Sequence, residues 1–352
     1  MRKIIVALVL FLAISFVIIR FSELKNIVDT IKHSDLRFLV AALIVEVIWM
    51  FNSATTYRVL YRLVELKQTS YRLLLVATAA NFVNVVAPSV GIGGMAVFLS
   101  DAKRHNYSSG RVMVVGVLYL MFDYLAFLCI LALGWVVLIR RNNLNAGEIT
   151  ASLILLGLAI VFAVILYLGY KSAVQLGNML AWMAHLVNRL LRPFLHRDYL
   201  SEEQAHFFAS EVAEGLSIIR GKGKELIWPF LFALNNFVLL ICVLMFTFLA
   251  YKTPFTAGTL VGAFSIGYLF LIVSPTPAGL GVVEGVLTVA LNTLRVNWAA
   301  AVLITLTYRA VTFWFPLAVG AVAFRILNNQ PKPEVRKKKG GRTKVAKNKS
   351  VE

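Results

Sequence analysis

Four ionisable residues stand inside stretches that are otherwise apolar: Glu46, Asp123, Glu284 and Arg309. A charge at the centre of a bilayer costs at least about 2.5–3.5 kcal/mol on insertion scales, so such groups face a protein interior, pair, or lose their charge. Arg309 cannot lose its charge, because the guanidinium pKa exceeds about 12. It therefore needs an acceptor. Glu284 is the first choice and Asp123 the second. Two roles are open for Arg309: one half of an ion pair locking two helices, or a receptor for a charged headgroup that holds phosphate in bidentate geometry. Asp123 fits either helix packing or proton transfer, and Glu46 fits a protonated, helix-packed carboxyl. Asn81, Asn84, Asn235 and Asn236 are neutral polar groups that interhelical hydrogen bonding explains.

Two Pro/Gly-broken segments surround this chemistry. One contains Asn84, Pro88, Gly91, Gly93 and Gly94, and the other Pro275, Pro277, Gly279, Gly281 and Glu284. In each, an apolar run meets Pro and then a Gly-x-Gly. Non-helical backbone at membrane depth persists only where protein buries it or where it lines a cavity. Paired broken segments in corresponding halves point to the central site of a transporter, although simple helix kinks would leave the same residues behind.

The elements that position these residues are membrane spans. The chain of 352 residues is 59% apolar and only 15% charged, against roughly 25% charged in a soluble domain. This excludes a water-soluble globular enzyme, a disordered protein and a nucleic-acid-binding domain. Apolar segments run over 4–21, 38–56, 73–100, 112–138, 151–169, 226–250, 257–294 and 298–326, and most have the length that crosses about 30 Å of hydrocarbon. Residues 1–21 lack a small-residue cleavage site and read as a retained first helix. The broken segments 73–100 and 257–294 read as re-entrant hairpins, or for the second a full hairpin. With the N-terminus inside, 26 of the 35 Lys/Arg residues fall on the inner side and eight on the outer. That asymmetry predicts cytoplasmic termini. The first broken segment then enters from the cytoplasm and the second from outside, the pattern of an inverted repeat. The expected fold is an all-α polytopic membrane protein with 6–8 transmembrane helices.

Residues 170–225 read as an amphipathic connector at the cytoplasmic interface, with His185, Arg189, Arg192 and Arg197 on one face. Residues 328–352 form a basic tail whose composition cannot bury a core, and it suits anionic headgroups better than nucleic acid. The two cysteines fall inside apolar spans and give no disulfide framework. No histidine pair has metal-ligand spacing. No phosphate-binding glycine loop of an ATPase is present. No cofactor is expected.

The run Pro275-Thr-Pro277-Ala-Gly279-Leu-Gly281-Val-Val-Glu284-Gly285, with Thr307-Tyr308-Arg309 and Pro316 in the last span, resembles the flippase-like family of the transmembrane region of lysylphosphatidylglycerol synthase, the multiple peptide resistance factor. Ala87-Pro88-Ser-Val-Gly91-Ile-Gly93-Gly94, Tyr107-Ser108 and the span bearing Asp123 agree. The resemblance covers about 1–327. It implies a lipid translocase in the cell membrane handling an anionic lipid or a polyprenyl-phosphate-linked substrate. Arg309, Glu284 and Asp123 would be its site residues, the Pro/Gly positions above would shape the site, and Glu46 and Tyr308 would be secondary. Many members carry a polar or basic residue after the first Gly pair, where this chain has Met95-Ala-Val-Phe98. The soluble domain that attaches the amino acid in the full synthase has no counterpart in 1–352, so aminoacyl transfer by this chain is not expected. A membrane subunit accompanying a lipid or envelope-glycan synthesis enzyme is the competing expectation.

Overall fold

A computed structural model describes residues 34–86, 92–140, 221–274 and 276–329, with scattered positions between 149 and 217. The first span 4–21, the motif residues Pro88, Gly91 and Pro275, most of 151–169 and of the connector 170–225, and the tail beyond 329 lie outside the described residues.

Every regular element among the described residues is helical. Helix α1 is Leu36–Leu63, α2 is Ser70–Val86, α3 is Ile92–Arg104 and α4 is Ser109–Arg140. After the connector come α5 (Ile227–Ala250), α6 (Ala257–Val273), α7 (Val282–Thr293), α8 (Trp298–Arg309) and α9 (Phe315–Asn329). Four stretches are long and apolar enough to cross a membrane: Leu36–Leu63, Ser109–Ile139, Gly223–Ala250 and Trp298–Asn329. These match four of the expected spans. Side chains such as Ile44, Phe51, Leu133 and Trp228 stand exposed on them, as surfaces facing lipid would.

The broken segments each resolve into two short helices. The 17 residues of α2 and 13 of α3 come from the first, and the 17 of α6 and 12 of α7 from the second. At 1.5 Å per residue, α3 and α7 reach only about 20 Å, short of the hydrocarbon thickness.

The centre of the bundle is an antiparallel pair, α1 against α5. At one end the Asp35 N–H donates to the Ala250 carbonyl at 2.9 Å. At the other, Lys222 Nζ reaches the Leu63 carbonyl at 3.2 Å. Midway, Asn52 Nδ2 donates to Asn236 Oδ1 at 2.7 Å and to the Phe232 carbonyl at 2.8 Å, and Asn235 Nδ2 donates to Asn52 Oδ1 at 3.1 Å. This is the interhelical role expected of Asn235 and Asn236.

Around that pair, α2 packs on α9 and α6 packs on α4. Both contacts close over a glycine. A Cβ on Gly320 would lie 2.7 Å from the Thr78 carbonyl oxygen and from Phe82 Cβ. One on Gly134 would lie 2.3 Å from Ser265 Oγ. Without water between helices, backbone approach of this kind replaces the hydrophobic effect as the source of association.

Charge ties the start of α2 to the end of α3. Asp101 of α3 accepts from Arg72 Nε at 2.9 Å and Nη2 at 2.6 Å, and from Gln68 Nε2 at 3.2 Å. Arg104 Nη1 donates to the Leu327 carbonyl at 2.6 Å, satisfying the end of α9.

Candidate functional site

The turn between α6 and α7 does not fit ordinary helical geometry. Ala278, Gly279 and Gly281 all take positive φ, at 52°, 69° and 80°. At Gly279 a side chain is excluded twice over, because a Cβ would also lie 2.4 Å from Val283 Cγ2. Ala278 holds its left-handed conformation with a Cβ, at a cost of order 1 kcal/mol. Thr276 spans the turn, its Oγ1 donating to the Leu280 carbonyl at 3.0 Å.

Glu284 is the third residue of α7 and reaches back to the turn. Its Oε2 accepts the Gly281 N–H at 2.6 Å, one half of a capping box. Glycine has no side chain to supply the other half. The carboxylate also lies at the positive end of the α7 dipole, an attractive electrostatic contact.

Arg309 arrives from the last span. Pro316 lacks an N–H and its ring crowds the carbonyl four residues earlier, so the α-helical ladder cannot continue through it. The chain answers with a π turn over Ala310–Trp314, in which the Phe315 N–H bonds to the Ala310 carbonyl. Arg309 is the last residue before that turn. Its Nε donates to Glu284 Oε1 at 2.6 Å and one terminal nitrogen, Nη2, to the Ala278 carbonyl at 2.9 Å. Its guanidinium carbon lies 4.5 Å from the centre of the Phe313 ring. Arg309 is 4% exposed. Nη1, the other terminal nitrogen, makes no hydrogen bond to any described residue.

The sequence therefore identified the right partner. Glu284, and not Asp123, takes the Arg309 charge. Asp123 is half-buried on α4 and makes no hydrogen bond or ion pair among the described residues. Glu46 is fully buried on α1, and neither carboxyl oxygen has a partner among the described residues. Tyr308 is buried beside Arg309, and its ring lines the same cavity. Gly94 meets Asn84 closely, donating its N–H to Oδ1 at 2.6 Å, and no side chain would fit there. Gly93 sits in the first turn of α3.

A cavity of about 180 Å³ opens beside Arg309. Its walls are largely apolar and come from α1, α2, α5, α6 and the last span, with Leu240, Phe264, Leu271 and Leu317 among them. Tyr268 and Thr312 add polar atoms. A buried cation bordering an apolar cavity has the chemistry to pair with the anionic end of an amphiphile.

The family description Lysylphosphatidylglycerol synthase TM region matches residues 4–320. The chain belongs to that family. A comparison with curated proteins finds no match. As a member of the lysylphosphatidylglycerol synthase transmembrane family, it is a multi-pass membrane protein tied to lipid metabolism. Within the matched span lie Asp123, Glu284 and Arg309, together with both broken segments.

Sequence reasoning missed three parts of this site. The Ala278 carbonyl becomes an Arg309 acceptor through a left-handed alanine, which no residue type announces. Phe313, four residues after Arg309, carries a helical-spacing signal that was available. Asn81 is the third. It makes no hydrogen bond among the described residues and instead borders the Arg309 cavity.

Proposed function

We propose that this protein is a lipid translocase whose central site binds the phosphate of an anionic amphiphile at Arg309. One observation carries this reading: a 4%-exposed arginine, held by a single carboxylate, with a terminal nitrogen that bonds to no described residue and an apolar cavity beside it. A purely structural pair gains little over packed apolar residues, whereas a pair at a cavity wall can exchange partners. Phosphate would take Nη1 or displace Glu284 from Nε, which lies on the opposite edge of the guanidinium. Glu284 neutralises Arg309 when no lipid is bound, so the empty site is not left with an uncompensated charge. The glycines of the second turn let a headgroup approach the backbone.

In this reading the α2–α3 and α6–α7 pairs are re-entrant hairpins of an inverted repeat. Their short arms support it, and so does a numerical correspondence. Thr78 and Ser265 each precede their motif proline by ten residues, and each meets a glycine, Gly320 or Gly134, of the other half. Asp123 and Arg309 each lie eleven residues before that glycine, so corresponding positions carry an acidic and a basic side chain. Both termini face the cytoplasm of the cell membrane, and the chain moves lipid without transferring an aminoacyl group. The test is reconstitution into vesicles with a fluorescent anionic phospholipid. Arg309→Ala is expected to abolish translocation while wild type supports it. Equal translocation by the two proteins would defeat the proposal.

A further inference from the structure

A second cavity, also about 180 Å³, adjoins the first. It lies between α1, the α2–α3 hairpin and α4. Trp49 and Asn81 line both cavities, so the two meet at these side chains. The chemistry of the second differs from that of the first. Among the described residues, no Asp, Glu, Lys or Arg lines it. Its polar groups are amides, hydroxyls and an indole.

Several of these groups have unused hydrogen-bonding capacity. Asn81 is exposed on the inner face of α2 and bonds to no described residue. Asn84 spends Oδ1 on the Gly94 N–H, and its Nδ2 donors remain. Trp49 Nε1 is buried and has no partner among the described residues. Tyr57 offers its hydroxyl while its ring stacks on Tyr119, with centroids 4.1 Å apart and planes 8° from parallel. Leaving polar groups unpaired at this depth costs about 1–3 kcal/mol each, so the cavity is shaped for an occupant that hydrogen-bonds. Neutral donors and acceptors beside flat aromatic faces suit hydroxyl groups on a carbon skeleton. An ammonium headgroup would lack a counter-charge there. Asp123 lines neither cavity, and both oxygens of Glu284 are already bonded.

We propose that the two cavities form one site for a lipid phosphodiester with a neutral, hydroxyl-rich headgroup. The phosphate lies at Arg309 and the hydroxyls at Asn81, Asn84 and Trp49. This rests on the reading of Arg309 as the anion receptor, and it names the headgroup class. The same chemistry occurs in a diacyl inositol phospholipid and in a polyprenyl phosphosugar.

The experiment is competitive lipid binding to the full chain in detergent micelles, read by native mass spectrometry. The probes are phosphatidylinositol, polyprenyl phosphoglucose, phosphatidylethanolamine and phosphatidylmethanol, which carries the same phosphodiester charge with no hydroxyl. Wild type is expected to prefer at least one hydroxylated probe over phosphatidylmethanol by about tenfold, the worth of one or two neutral hydrogen bonds. Which hydroxylated probe binds more tightly identifies the tail. Asn81→Ala breaks no described hydrogen bond and should fold. It is expected to erase the preference, and Trp49→Phe to reduce it. Equal binding of all probes to wild type, preference for phosphatidylethanolamine, or an unchanged preference in both variants would overturn the headgroup assignment. The anion reading fails separately, by phosphatidylmethanol binding equally to wild type and Arg309→Gln.

Discussion

Replacing Glu284 by Gln separates an ion pair that only braces the fold from one that yields to a ligand. The wild-type carboxylate accepts two hydrogen bonds of 2.6 Å, from Arg309 Nε and from the Gly281 N–H. Glutamine keeps the shape but has one acceptor oxygen. Its amide NH2 must then face either the Arg309 donor or the Gly281 donor. The Arg309 side chain is 5% exposed, so its charge would be left buried and uncompensated. Breaking such a pair by removing one partner costs about 3–5 kcal/mol. If Arg309 receives phosphate, much of that deficit returns when an anionic lipid binds, because the lipid no longer displaces a carboxylate. Three kcal/mol corresponds to about a hundredfold in affinity. The assay is thermal unfolding of the delipidated protein in detergent, titrated with phosphatidylmethanol. Glu284→Gln should unfold at lower temperature than wild type without lipid. It should then gain more from lipid, with a midpoint shifted to lower lipid concentration. A variant that unfolds early and responds to lipid no more than wild type would refute the reasoning and leave the pair a structural brace.

Other substitutions test the supporting geometry. Gly279→Ala should destabilise the protein more than Gly281→Ala in thermal unfolding, since both positions have positive φ but only Gly279 also lacks space, with Val283 Cγ2 2.4 Å from the added carbon. Left-handed strain alone accounts for about 1 kcal/mol at Gly281. Gly320→Leu should separate α2 from α9 and lower the unfolding temperature sharply, while Gly285→Leu, whose added carbon meets nothing within 4 Å, should be tolerated. Asp101→Ala should loosen the contact between the start of α2 and the end of α3 by about 3 kcal/mol, because it removes the carboxylate oxygen that accepts both Arg72 hydrogen bonds. Faster amide hydrogen exchange in α2 and α3, with α6 and α7 unchanged, is the expected signature.

The spans were legible because hydrocarbon imposes a length and an apolar composition that a sequence displays directly. Four of them appear where expected, and the two segments that Pro and Gly interrupt are the two that form paired short helices. The Arg309–Glu284 pair was also legible, because a permanent cation inside an apolar span demands an acceptor and few are present. What stayed hidden depends on three-dimensional approach. Gly134 and Gly320 read as ordinary helix glycines until their neighbours on α6 and α2 are known. Asn81 and Asn235 read alike as mid-span amides. Yet Asn235 bonds across the α1–α5 contact, and Asn81 opens onto two cavities. The π turn after Arg309 follows from Pro316, but a proline alone does not say whether a helix will kink, end or widen.

The most direct test of the central claim is native mass spectrometry with lipid analysis on gently purified protein, comparing wild type with Arg309→Ala after both are shown to be folded. The account predicts an anionic lipid that accompanies wild type and is missing from the variant. Identical lipid profiles in the two folded proteins would contradict it and assign Arg309 to holding α7 and the last span together.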